Sequence, residues 1–367
     1  DPMSRSGNTA RMPAALVEDG IRAANREFAS DPALRGELLD ALGEIQGNQD
    51  DFGGGRATLL EALSLRQAQH GTGSVEVAET ERKLALLAYR TGDTAEAVQR
   101  ARRVIAIWTA RGNAHSPDAA RAKRLLALVL ANGKEREQSL SLISEAVADL
   151  SAALGPQAPE TVTTRFRHGQ VLAELGRQDE AIPLLQQVIA SIEATRGANA
   201  VQLALPLAVL ASVLTEARRF DQADPLYARA ATLARTHFGN RNIRLANALI
   251  KRGDLKIQQK DFATAQSLFD QAETALPEGA QWEQALLLRN RGELHLLRHE
   301  ATPAESSLRR AFELTRHING DDDGITLYTA SRWGRALALQ GKLQQAEAVQ
   351  RDALAKIEKL FPDDYEN

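Results

Sequence analysis

The sequence predicts an all-α fold: an α-solenoid of about eight helix pairs behind an N-terminal capping helix. Three observations carry this. Small residues recur every 42 positions through almost the whole chain, and glycines punctuate that period. The composition is rich in Ala, Leu and Arg with only 4% aromatic residues, a mixture typical of long helical proteins.

The repeating unit is clearest at residues 169–189, where Gly169 precedes Ala181 by twelve positions and Leu185, Val188 and Ile189 follow at helical spacing. One column of small residues runs Gly43, Ala85, Ala127, Gly169, Ala211, Gly253, Gly292, Gly334. A second runs Gly55, Ala97, Ser139, Ala181, Ala223, Ala265, Ala304, Ala346, stepping by 42 except for one step of 39. A third runs Ala62, Val104, Ala146, Val188, Ala230, Ala272, Ala311, Ala353. Small side chains on paired helices let their axes approach closely. The third column is expected to meet the first helix of the next repeat. Leu59, Ile143, Leu185, Tyr227, Phe269 and Leu308 fill the space between, with Ala101 and Gln350 departing from the pattern.

In chain order, residues 1–11 read as an irregular lead-in and 12–30 as the capping helix, its face formed by Leu16, Ile21, Ala24 and Phe28. Residues 31–361 form a single array of eight repeats, and 362–367 a tail. Second helices should stop at Gly71, Gly112, Gly155, Gly197, Gly239 and Gly320, as left-handed C-terminal positions favour glycine. Ser116-Pro117 reads as a cap with proline at the first helical position. Asp179, Asp221, Asp261 and Thr302 should open second helices, placing Pro183, Pro225 and Pro303 in first turns. Pro206 should kink a helix, and Leu276–Gly279 marks a tighter connection.

Composition sets limits on function. The net charge of −3 argues against a polyanion binder, and the lack of cysteine excludes disulfides and cysteine-ligated zinc. The longest apolar run, Leu203–Leu214, is twelve residues, too short for a membrane span. The chain opens on Asp1-Pro2 and reads as a piece of a longer or processed protein.

With this register, the residues resemble tetratricopeptide repeats: Leu-Gly or Leu-Ala, then Gly-x4-Ala, then Ala-x3-aromatic/Leu-x2-Ala, over residues 32–360. The 42-residue period is similar to the kinesin-light-chain variety. The resemblance implies a right-handed superhelix whose first helices line a concave groove for peptides or proteins. A second resemblance covers Asp1-Pro2, residues 16–46 and residues 59–71, which are similar to the segment after the transmembrane helix of bacterial eukaryotic-type serine/threonine kinases. It implies a sensory tail on the extracytoplasmic side, with the kinase in the parent protein. The alternative is a cytoplasmic adaptor or the regulatory domain of a transcription factor.

No catalytic constellation is expected, and no cofactor or metal. Asp51-Phe52-Gly53 and Ala158-Pro159-Glu160 spell kinase motifs, but they lie about a hundred residues apart with no phosphate loop before them. They read as a turn before a second helix and an inter-repeat loop. His295 and His299 share helical spacing without a third ligand. Asn319–Gly324 imitates the start of a calcium loop but has Ala330 at the twelfth position, and reads as a helix-capping loop. Gly133-Lys134 and Gly341-Lys342 read as turns.

What remains is the groove. Positions beside the first small column supply Arg82, Tyr89, Arg121, Arg124, Phe166, Gln170, Asn247, Asp254, Arg289, Glu293, Tyr328 and Arg335 as partner-binding candidates. Lys83, Arg165, Arg167, Lys251, Arg291 and Arg332 adjoin them. Arginine forks interleaved with aromatic rings suit carboxylates and extended chains. The expected partner is therefore a protein or extended peptide, acidic or with a free C-terminal carboxylate, and not a nucleic acid. The competing reading makes these residues solvated helix faces bridged by local salt pairs. The family's two-carboxylate clamp for chaperone tails is not expected, because Leu86 and Leu128 stand where its Asn belongs.

Overall fold

The computed structural model describes residues 14–131 and 135–360. The lead-in, the tail and the Gly133-Lys134 turn lie outside the described residues. No strand occurs among those described. Their helices, in order, are α1 (Ala14–Glu27), α2 (Pro32–Asn48), α3 (Phe52–His70), α4 (Val75–Thr91), α5 (Thr94–Ala110), α6 (Pro117–Leu130), α7 (Arg136–Leu154), α8 (Pro159–Glu174), α9 (Gln178–Arg196), α10 (Ala204–Glu216), α11 (Phe220–Phe238), α12 (Ile243–Gln258), α13 (Phe262–Ala275), α14 (Gln281–Leu297), α15 (Ala301–Asn319), α16 (Gly324–Leu339) and α17 (Leu343–Leu360). From α2 onward, even-numbered helices are the first of each pair and odd-numbered helices the second. The chain divides into two units, Asp1–Ser191 and Ile192–Asn367.

In the first unit, α1 covers the first pair with Val17 and Ala24 buried and Ile21 half-buried. Leu16 is instead 55% exposed. The true face runs 17, 21, 24, 28, in steps of four and three, whereas 16 to 21 is a step of five and turns Leu16 away. Leu59, Leu84, Leu87, Val104, Trp108 and Ala119 form one apolar cluster across α3 to α6. Val104 thus faces its own first helix and the next. Ala62 and Ala146 group with Leu39 and Ala120 of their own first helices, so the third column also packs within its pair.

In the second unit, Tyr227 and Phe269 are fully buried, each contributing about 1.5–3 kcal/mol on the usual area scale. Leu296, Leu308 and Ala336 close the next layer, beside Trp333 stacked on Phe312 at 5.4 Å. Every residue of the three small columns is buried in its unit.

The six glycine stops all have positive φ, between 74° and 94°. Ser116 caps α6 by accepting from the Ala119 amide, with Pro117 at the first turn. Asp261 likewise caps α13. Asp179, Asp221 and Thr302 do not: α9, α11 and α15 begin one residue before each, leaving them inside the first turn. Pro183 and Pro225 consequently sit at the sixth position of α9 and α11, where a helical hydrogen bond is forgone. Pro206 lies in the first turn of α10, which follows a short 3-10 turn, Val201–Leu203, so no deep kink arises. α13 ends five residues short of the nineteen in α11, which accounts for the tight connection at Leu276–Gly279.

Candidate functional site

On the first-helix face of the first unit, three successive first helices, α4, α6 and α8, bring arginines together. Arg121 donates to both oxygens of Glu160, each at 2.7 Å, and also to Asp118. Burial alone would raise the Glu160 carboxyl, but the Arg121 hydrogen bond and the charges of Arg121, Arg124 and Arg82 hold it below the usual carboxylate range. Arg124 donates to the Thr164 hydroxyl at 3.0 Å and stands 3.9 Å from Glu160. Burial pushes its pKa down, Glu160 counters, and Arg121, Arg167 and Arg82 push it down further. Arg167 donates to the Gln170 side-chain carbonyl at 2.8 Å, and burial lowers its pKa as well. Glu174 is raised by burial against the pull of Arg167. Tyr89 lies 40% exposed within electrostatic range of Arg167.

The second unit builds a different face from α12, α14 and α16. The Tyr328 ring carries two guanidiniums, Arg289 at 5.6 Å and Arg332 at 4.9 Å from its centroid. Arg332 also donates to the Tyr328 hydroxyl at 2.7 Å and to both Glu293 oxygens at 3.1 Å. Arg335 approaches Glu293 at 3.9 Å. Burial lowers the Arg289 pKa, Tyr328 and Asp254 counter it, and Arg332 adds to the fall. Asp254 accepts from Gln258 at 3.3 Å, and Asn247 is half-buried on α12.

One model of the tetratricopeptide repeat matches residues 35–110, 118–194 and 202–278, and a second model of that repeat matches 326–364. The chain belongs to the tetratricopeptide repeat family. No curated protein sequence matches it. Among solved structures, the apo form of RapI is similar with a TM-score of 0.67 at 11% identity, over 95% of this chain and 94% of that one. A tetratricopeptide repeat protein from Parabacteroides merdae gives 0.57 at 14%, over 82% and 98%. A Rap protein complexed with competence and sporulation factor gives 0.56 at 18%, over 84% and 82%. At these identities the likeness is one of fold.

Within the tetratricopeptide register, one sequence candidate falls away from the surface. Phe166 is 0% exposed, because three residues before the small position it shares the packed seam with Val162 and Gly169. Arg82, Tyr89, Arg121, Arg124 and Gln170 lie on the first-unit face, and Asn247, Asp254, Arg289, Glu293, Tyr328 and Arg335 on the second. Of the adjoining cations, Lys83 binds Asp40 and Glu44, each at 2.6 Å, and Arg291 binds Asp270 and Glu273, so both brace helices together. Arg167 and Arg332 are full members of the two clusters, each two residues before its small position. Glu160, expected in a loop, is the second residue of α8 and anchors Arg121.

The motif look-alikes have ordinary structural roles. Asp51 caps α3 by accepting from the Gly54 amide. Pro159 opens α8. His295 pairs with Glu300 at 2.5 Å, whereas His299 lies beyond the end of α14 with φ of +58°, so the two do not share a helical face. Asp323 caps α16, accepting from the Ile325 and Thr326 amides and from Asn319. Among the described residues, no helix is long and apolar enough to cross a membrane.

Proposed function

We propose that the chain is a non-catalytic scaffold that holds a protein or extended-peptide partner on its first-helix faces, with a preference for acidic segments or a free C-terminal carboxylate. The observation that carries this is the set of half-buried arginines with incomplete pairing, Arg82, Arg124, Arg167 and Arg289, beside exposed Tyr89 and Tyr328. Guanidiniums held by packing lose little freedom on binding and match carboxylates bidentately. The Rap neighbour complexed with competence and sporulation factor supports partner binding as a use of this fold.

Partner capture from the native extract tests the reading, comparing the parent chain with Arg82/Arg124/Arg289→Ala at matched helicity. Partners recovered by the parent and lost by the variant support it, while equal recovery moves the site off these faces. For the parent protein, the kinase-tail reading rests on the sequence of residues 16–46 and 59–71. An upstream kinase and hydrophobic span in the gene would support it. A winged helix upstream would favour the transcription-factor reading, and no further domain the cytoplasmic adaptor.

A further inference from the structure

One second helix of the second unit is short, and a cavity lies at its end. α11 and α15 each run nineteen residues, whereas α13 runs fourteen and stops at Ala275. Five residues of helix span about 7.5 Å. Beyond Ala275 opens a cavity of about 370 Å³, bordered by Arg241 from the loop before α12, by the connection from Leu276 to Ala280, and by Arg310 of α15. Leu276, Pro277, Leu287 and Leu288 give it an apolar lining, and Leu287 and Leu288 are buried. Its volume falls at the small end of the range for ligand pockets.

An earlier pair of repeats shows what the short one lacks. Arg229, six positions after Ala223, donates to the Ala198 carbonyl and pairs with Glu193, each at 2.6 Å. Arg310 holds the same place, six positions after Ala304. Glu193 stands twelve positions after Ala181, but twelve after Ala265 stands Pro277, which has no carboxylate to offer. The lining also carries Glu273 and Glu278, and Arg291 takes Glu273 at 2.8 Å. Among the described residues, Arg241, Arg310 and Glu278 have no hydrogen bond, ion pair or ring contact. Two unpaired guanidiniums thus stand against one unpaired carboxylate, an excess of one positive charge.

We propose that this cavity binds a small aliphatic monocarboxylate. Its carboxylate lies between Arg310 and Arg241, in the role that Glu193 plays for Arg229, and its branched hydrocarbon body lies on Leu276, Leu287 and Leu288. A guanidinium matches a carboxylate with two parallel hydrogen bonds, and the leucines reward a body that leaves water. A single negative charge balances the excess, whereas a second would meet Glu278. The site uses none of the residues of the scaffold reading, so either can fail without the other.

The probe is 4-methylpentanoate, titrated against the full chain and followed by saturation-transfer NMR of its methyl signals. It binds the parent with a Kd of about 1 mM or tighter, and at least about fivefold tighter than either its neutral amide or acetate. Arg241→Gln and Arg310→Gln each weaken it at least about fivefold. Neither side chain braces the fold, so both variants keep the parent's Tm. Arg309→Gln removes the same charge from the residue next to Arg310, outside the lining, and leaves binding unchanged. Pro277→Glu supplies the missing carboxylate to Arg310 and abolishes binding. Equal binding of acid and amide, or an equal loss in Arg309→Gln, overturns the site. N-acetylglycyl-leucine serves as a second probe. If it binds more tightly than 4-methylpentanoate, the ligand is a peptide end and the small-acid assignment falls.

Discussion

Phe269 lies directly over Gly253, so that a β-carbon there would stand 2.4 Å from Phe269 Cε1. The same sixteen-residue relationship places Leu59 over Gly43 at 2.8 Å, Leu185 over Gly169 at 2.9 Å, Leu308 over Gly292 at 2.4 Å and Gln350 over Gly334 at 2.6 Å. The first small column therefore makes room for a large side chain, more than for a facing small one. Phe269 is fully buried and has nowhere to retreat. Gly253→Ala should lower stability by about 1–3 kcal/mol from overpacking, even though alanine gains about 1 kcal/mol in helix propensity. Gly53→Ala, with nothing within 4 Å, should raise it. Urea denaturation of both variants reads the opposite signs, and a Gly253→Ala chain as stable as its parent would refute the contact.

A second column explains the turns inside the pairs. Asp50, Gly92, Gly176, Arg218, Lys260, His299 and Gly341 all adopt positive φ, from 57° to 81°. Four are not glycine, and each bears the steric strain of a β-carbon in the left-handed region, about 1–2 kcal/mol. Lys260 is exposed and its side chain makes no close pair with the turn. Lys260→Gly should raise stability by about 0.5–1 kcal/mol, the relief being partly offset by glycine's extra freedom in the unfolded chain. Gly92→Ala should lower it by a similar amount. Thermal unfolding of the two checks both, and a destabilised Lys260→Gly would show that the strain is absent.

This column also shows what was legible in the sequence and what was not. The helix pairs could be read because core periodicity is local: small residues at fixed spacing identify the packed seam in every copy. The left-handed position is hidden in the sequence because Asp50, Arg218, Lys260 and His299 interrupt the glycine pattern, and helical spacing alone places His299 on the helix that carries His295. The candidate faces were partly legible, since helical geometry places Arg124 and Arg289 beside the seam. Geometry alone did not say that the same position in the fourth repeat, Phe166, folds into the seam once its side chain is apolar. Nor did it distinguish Arg167 and Arg332, which join the clusters, from Lys83 and Arg291, which are drawn to Asp40 and Glu44 on α2 and to Asp270 and Glu273 on α13.

Glu81 is the most enclosed carboxylate in the first unit, with its side chain 0% exposed and Arg100 and Arg103 each donating at 2.6 Å. It ties α4 to α5. Removing one member of such a buried set strands the others, typically at about 3–5 kcal/mol. Glu81→Ala should approach that loss, softened by Glu96, which holds Arg100 at 2.8 Å. Glu81→Leu should lose less, because its volume fills the site. Unfolding free energies from urea titration within about 0.5 kcal/mol of the parent for both variants would mean that the bridge contributes nothing.

Asp224 on α11 is held by Arg252 on α12 at 2.7 and 3.1 Å, with Lys256 at 3.3 Å. The Arg252 hydrogen bond lowers its pKa most, burial opposes, and the charges of Arg252 and Lys256 lower it again, leaving it below the ordinary 3.8. The folded chain therefore binds this proton less readily than the unfolded chain does. The stabilisation is fully present above the unfolded value and is lost as pH falls from about 3.8 through the depressed folded value. Asp224→Asn should be less stable than the parent by a constant amount at neutral pH, on the order of 1 kcal/mol for a partly exposed pair. That difference should shrink on acidification through this window, while other carboxylates titrate alike in both chains and cancel. Parallel urea titrations across the acid range measure it, and a gap that stays unchanged to the acid limit would rule out the bridge as its source.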